Sequence, residues 1–161
     1  MGSQTKVTRR IAETAISGIS AQTPTLALMN RKDITSVPTP DYNCIAWALG
    51  VNDAWWWPDV MEVYYWPPHL PRVASPEVFS KLFEEHGYSP CSSGAFTPGV
   101  TKIALYTREG KVTHAARQLS NGKWTSKLGS DADISHGRTS DVECRLYGNV
   151  TSYFQAQSGK R

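Results

Sequence analysis

Asn121-Gly122 stands between two alternating runs, 112–119 and 123–128. This is the strongest short hairpin signal a chain can carry, because a two-residue type I′ turn needs positive φ at both central positions and Asn and Gly adopt it at low cost. The second half of the chain is thereby committed to an antiparallel sheet. Read as a two-residue turn, it pairs Ser120 with Lys123 and Val112 with Asp131. In that register Thr125, Lys127, Gly129 and Asp131 share a face with His114. A run at 100–107 joins through Arg108-Glu109-Gly110, and a last strand is predicted over 145–154. Gly148 within it marks a bulge or a close approach. The segment 129–141 reads as polar loop.

The first half is richer in helix signals. Ile11, Ala15 and Ile19 recur at helical spacing within 8–19, and 31–40, with Pro38 and Pro40, reads as loop. A helix is predicted over 44–49, capped by Asn43 or Asp41 and closed by Gly50. Residues 53–71 hold Pro58, Pro67, Pro68 and Pro71 and cannot form one helix, so they read as a packed loop with a short turn or strand at 61–65. Ser75-Pro76-Glu77 opens the clearest helix, with Val78, Phe79, Leu82 and Phe83 on one face and Gly87 at its end. Residues 88–99 read as loop. The fold class expected is α+β, a helix-rich N-terminal half packed on an antiparallel sheet. A length of 161 residues supports one domain, placed at 41–155, between an N-terminal extension (1–40) and a short tail (156–161).

Composition narrows the function classes. An apolar fraction of 40% and a charged fraction of 19% describe a globular chain. No apolar run is long enough to span a membrane, and the N-terminus lacks a signal-peptide pattern, so a cytoplasmic location is expected. Seventeen basic and fourteen acidic residues are dispersed, which argues against nucleic acid as a partner. Lys160 and Arg161 make only a small basic end. Cys44, Cys91 and Cys144 have neither disulfide-scaffold nor zinc-finger spacing, so they are read as free thiols with no metal or organic cofactor implied.

Cys44 is the sharpest chemical feature. A thiol in the first turn of a helix meets unpaired amides and the positive end of the helix dipole, which favour the nucleophilic thiolate. The same amides can receive an oxyanion, and Asn43 could cap the helix or add a second donor. His114, amid small residues in a predicted strand, is the candidate base, whereas His69 and His86 read as surface residues. Asp131 or His136 would orient the imidazole, and the residues leave that choice open. The block 55–66 is expected to pack over the Cys44 helix and the sheet, with Trp47, Trp56 and Trp57 as walls of a substrate cleft.

The strings NCIAWALG (43–50), WWWP (55–58), KIALY (102–106), THAARQL (113–119), WTSKLG (124–129), DISH (133–136) and YG (Tyr147-Gly148) stand in one order. Together they resemble a family of uncharacterised bacterial proteins that looks like a distant branch of the papain-like superfamily containing cell-wall endopeptidases. The resemblance covers about 41–153. It implies a papain-like fold with a cysteine at a helix start and a histidine on a later strand, matching Cys44 and His114, and it favours His136 over Asp131. The resulting expectation is a thiol-dependent hydrolase, or acyl transferase, acting on an amide, isopeptide or ester bond of a peptide or protein. A Cys44 sulfur within about 4 Å of an imidazole nitrogen would fit it. The alternatives are a non-catalytic binding module with a Trp/Tyr-rich surface, and a bacterial toxin or effector using the same chemistry.

Overall fold

A computed structural model describes residues 6–22 and 31–159, so Lys160 and Arg161 lie outside the described residues. In chain order it contains helix α1 (Arg9–Gln22), a 3-10 turn (Arg31–Asp33), helices α2 (Cys44–Ala48) and α3 (Pro76–Glu85), and strands β1 (Ser89–Cys91), β2 (Val100–Arg108), β3 (Lys111–Gln118), β4 (Trp124–Lys127) and β5 (Asp133–His136). A second 3-10 turn (Thr139–Val142) precedes β6 (Asn149–Gln157). The strands form one antiparallel six-stranded sheet in the order β1-β6-β2-β3-β4-β5, which makes the fold α+β. Strands β1 and β5 lie in segments predicted as loop. They are short edge strands, three and four residues long; β1 pairs with β6, far along the chain, and β5 folds back on the adjacent β4. The last strand begins at Asn149, because residues 144–148 close a turn in which Gly148 N–H donates to Cys144 O at 2.7 Å. No helix among the described residues is long and apolar enough to cross a membrane.

The hairpin expected at Asn121-Gly122 forms, with a different turn. Leu119 N–H donates to Lys123 O and Gly122 N–H to Leu119 O, while Gly122 alone takes a left-handed φ of 87°. Ser120, Asn121 and Gly122 therefore make a three-residue loop with glycine at the left-handed position. The register becomes Gln118↔Trp124 and Arg117↔Thr125. One residue of slip moves every β4 side chain to the other face. Ser126, not Thr125 or Lys127, now shares a face with His114, and the expected pairing of Val112 with Asp131 does not form.

The sheet buries both faces. On one lie Ile103, Leu105 and Ala115, covered by Cys44, Ile45, Ala48 and Leu49 of α2 and by Phe79, Leu82 and Phe83 of α3. On the other lie Ala104, Tyr106 and Ala116, covered by Ala12 and Ala15 of α1 and by Val142 and Tyr147. The predicted apolar face of α3 is the one buried, and Ser75 caps it by accepting from Val78 N–H. Helix α1 packs its alanines against the second layer, and Ile34 bridges Ile134, so the segment expected as an extension contributes to that layer. Ile19, the third residue of the predicted helical stripe, has a side chain outside the described residues.

The aromatic segment divides in two. Trp66 is buried against Phe79, with ring centroids 5.1 Å apart, and Trp55, Trp56 and Trp57 are half-buried. Tyr64 and Tyr65 face solvent, so the expected packing of the block holds for Trp56, Trp57 and Trp66 and not for these two rings. A two-strand loop cannot turn both of its faces inward. Gly148 shows the close approach foreseen for it: at φ 71° an added Cβ would overlap the Thr107 carbonyl. Gly148→Ala is therefore expected to destabilise the domain by about 2 kcal/mol or more, through strain at positive φ added to a backbone clash. Urea denaturation of the variant beside the parent measures this.

Candidate functional site

Strands β3 and β4 are joined by the two rungs Arg117↔Thr125 and Gln118↔Trp124 and then separate. Because Leu119 N–H points to Lys123 O, the odd-numbered amides of β3 aim at β4. The next such amide, Ala115 N–H, lies beyond the last rung. Helix α2 packs on both strands at this opening and brings Cys44 there. Burial pushes the Cys44 thiol up to about 11, against the pull of the amides of Ala115, Ile45 and Cys44 itself, which favour thiolate. The thiol is 8% exposed.

His114 projects from the opposite face to Ala115. Its ring stacks on Tyr147, centroids 4.4 Å apart, and meets Tyr106 edge-on at 5.0 Å. Nε2 lies 3.0 Å from Ser126 Oγ, Ser126 Oγ lies 2.8 Å from His136 Nε2, and His136 Nδ1 lies 2.8 Å from Arg138 O. A carbonyl only accepts, so His136 carries its proton on Nδ1, and its Nε2 accepts from the Ser126 hydroxyl. Ser126 then accepts from His114 Nε2–H. His114 Nδ1 is left as a bare lone pair, buried and without a hydrogen-bond partner. Burial holds both histidines neutral, driving His114 down to about 3 and His136 below the usual range.

The structure thus brings His114 and His136 together through Ser126, a residue the sequence reading passed over. The spacing held no signal for it, because its role depends on the slipped register. Cys44 approaches from the α2 side of the sheet, and neither imidazole nitrogen is bonded to its sulfur, unlike the side-by-side placement expected. Asn43 caps α2 as predicted: its Oδ1 accepts from Ala46 N–H, and also from Trp56 N–H, while its Nδ2 donates to Trp56 O at 2.7 Å. That amide ties α2 to the aromatic loop, using one of its two Nδ2 hydrogens on Trp56 O.

Asp131 sits in the turn after β4, away from the His114 chain, and lines a cleft of about 400 Å³ with Trp57, Thr113, Leu128 and Tyr147. Burial raises its carboxyl above the usual range. Trp47 lines a separate recess of about 440 Å³ with Tyr42, Asp41, Thr125 and Asp133. Trp56 lines neither of these, its ring lying against Tyr65 and His86. Between the two hollows runs Lys127, buried and lowered to about 8 by that burial, donating to Thr39 O and Gly129 O at 2.7 and 2.6 Å. Tyr42 stacks under its ammonium and donates to Asp133 Oδ1. His69 pairs with Glu85 at the surface, as its sequence context suggested.

The fold and site define an α+β domain with a buried histidine–serine–histidine chain beneath a cysteine-started helix. The chain belongs to the family described as a domain of unknown function (DUF7689), whose profile matches residues 33–155. No curated protein and no solved structure matches it.

Ser126→Ala would orphan both Nε2 atoms, and a loss of about 1–3 kcal/mol per orphaned nitrogen is expected in urea denaturation. The neutral histidines also set a pH dependence. The unfolded chain protonates His114 near pH 6.5 while the folded chain does not, so stability falls as pH drops from 6.5 to 5, by up to about 1.4 kcal/mol per unit for His114, and His136, also lowered by burial, adds in the same sense. Asp131 and Asp133, raised by burial, act in the opposite sense closer to the carboxylate range. Unfolding curves at pH 7.5, 6.5 and 5.5 test the sign, and His114→Phe should flatten the slope.

Proposed function

We propose that this domain is a papain-like, thiol-dependent acyl hydrolase or transferase acting on a peptide or protein. The observation that carries the reading is the directed chain from Arg138 O through His136 and Ser126, which leaves His114 Nδ1 as an unshared base. That base sits one residue from the amide that acts on the Cys44 sulfur. Cys44 would attack the carbonyl, His114 Nδ1 would take the thiol proton and return it to the leaving group, and the amides of Cys44 and Ile45 would receive the oxyanion. His136 acts through Ser126 as a positioning residue. The cleft beside Trp57, Thr113 and Tyr147 opens at the end of the same gap and can admit an extended chain.

At rest the pair is a neutral thiol and a neutral imidazole on opposite sides of a gap that no ladder rung crosses. Sγ lies on the Ala115 face of the sheet and the imidazole on the Tyr106 face, so turnover on this reading requires the two side chains to rearrange and meet in that gap when substrate binds. Incubation with p-nitrophenyl acetate, followed by peptide mapping, tests it. Cys44 is expected to be acylated ahead of Cys91 and Cys144, although both are more exposed. Cys44→Ala should abolish that acylation with an unchanged melting curve, and His114→Gln should slow it by about 10²-fold or more. Acylation confined to Cys91, Cys144 or surface lysines would sink the mechanism.

A further inference from the structure

Five apolar side chains outside the site just described are held out in solvent by a loop that is itself tightly fastened. Val60, Met61 and Val63 are 82%, 78% and 72% exposed, and Tyr64 and Tyr65 are 40% and 49% exposed. The loop's stems are joined by Trp57 N–H to Tyr65 O and Tyr65 N–H to Trp55 O, both at 3.0 Å. At its tip the Asp59 carboxylate accepts from Val63 N–H and Tyr64 N–H at 2.8 and 3.1 Å. Arg72 then clamps Asp59 and donates to Tyr64 O. The turn places Glu62 at φ 55°, a conformation such a side chain rarely adopts.

A contiguous apolar patch is uncommon on a lone soluble chain, and one whose backbone is already ordered loses little entropy when it is covered. Its surroundings are acidic. Residues 53–85 carry Asp53, Asp59, Glu62, Glu77, Glu84 and Glu85 against Arg72 and Lys81, although the whole chain is +3. Glu62 stands 76% exposed among the apolar residues, 3.8 Å from Arg72, and since Arg72 also pairs with Asp59 the two carboxylates outnumber the one guanidinium at the tip. The Trp56 ring touches both Tyr65 and His86, which brings the C-terminal end of α3, a segment carrying the exposed Glu84 and Glu85, against the base of the loop.

We infer that the Val60–Tyr65 tip is a protein-docking surface, and that its partner is a segment presenting apolar side chains interspersed with Lys or Arg. The apolar tip supplies contact area, and the carboxylate rim selects a cationic partner and repels an acidic one. The surface is independent of Cys44 and His114, so it stands whether or not the domain has hydrolase activity.

The test titrates the full chain into two fluorescein-labelled amphipathic peptides of equal apolar content, one Leu/Lys and one Leu/Glu, read by anisotropy at low salt. The Leu/Lys peptide is expected to bind at least about tenfold more tightly. The double variant Met61→Lys, Val63→Lys should lose at least about tenfold of that affinity, while Phe96→Lys, at a half-exposed aromatic elsewhere, should lose none. All three sites are exposed, and a thermal melt confirms that each variant folds. Equal affinity for the two peptides, or equal loss in the Phe96→Lys control, would overturn the inference. Concentration-dependent dimers in sedimentation, abolished by the double variant, would overturn the assigned partner in favour of a second copy.

Discussion

Between β3 and β4 the ladder stops at Arg117↔Thr125, and most of what distinguishes this site follows from that interruption. A buried backbone amide without a partner costs free energy comparable to a lost hydrogen bond, so the freed Ala115 N–H must be met by something. Cys44, carried in by the first turn of α2, brings its sulfur close enough for that amide to favour the thiolate. On the same face Lys127 bonds two loop carbonyls, and on the other face Ser126 reaches across to His114. The cleft lined by Thr113 and Leu128 lies further along the strands, beyond the point where the two part.

The buried polar chain explains why the site rests uncharged. Removing an imidazolium from water is costly, and no carboxylate is bonded to His114 to offset it, so the ring stays neutral. The thiol is subject to the same penalty, which the three surrounding amides reduce without reversing. Direction in the chain comes from the one member with no choice, the Arg138 carbonyl. Each hydrogen bond before it is then fixed in sense, and a buried lone pair is left without a partner at the far end. Buried polar chains are costly when incomplete, so the one missing partner in this chain, at His114 Nδ1, stands out.

Asn43 links the interior to the surface. Its side chain caps α2 with one oxygen and grips the Trp56 backbone with both oxygen and nitrogen. The helix that positions the thiol and the loop that presents Val60 and Met61 are therefore anchored to one residue. Buried Trp66 and half-buried Trp57 pack on Phe79 of α3, which holds the stem of the loop in the core while its tip remains in solvent.

Local chemistry was legible in the residues. The Asn43 cap, the Ser75-Pro76 start of α3, the apolar face of that helix, the antiparallel central strands and the close approach at Gly148 all follow from preferences acting within a few positions. The placement of a cysteine at a helix start and a histidine in a strand was legible in the same way. What the sequence alone left undecided was which face each strand side chain takes. Asn121-Gly122 is compatible with a two-residue turn and with a three-residue one, and the difference of a single position exchanges Lys127 for Ser126 beside His114. That choice belongs to the tertiary structure, because a strand's side chains alternate with period two and only burial against the layers on each side selects the register. Strand β5 became a strand for a related reason: His136 and Ile134 pair with the neighbouring β4, and the face that covers Ile134 is built by residues distant in the chain, such as Ala12 and Ile34.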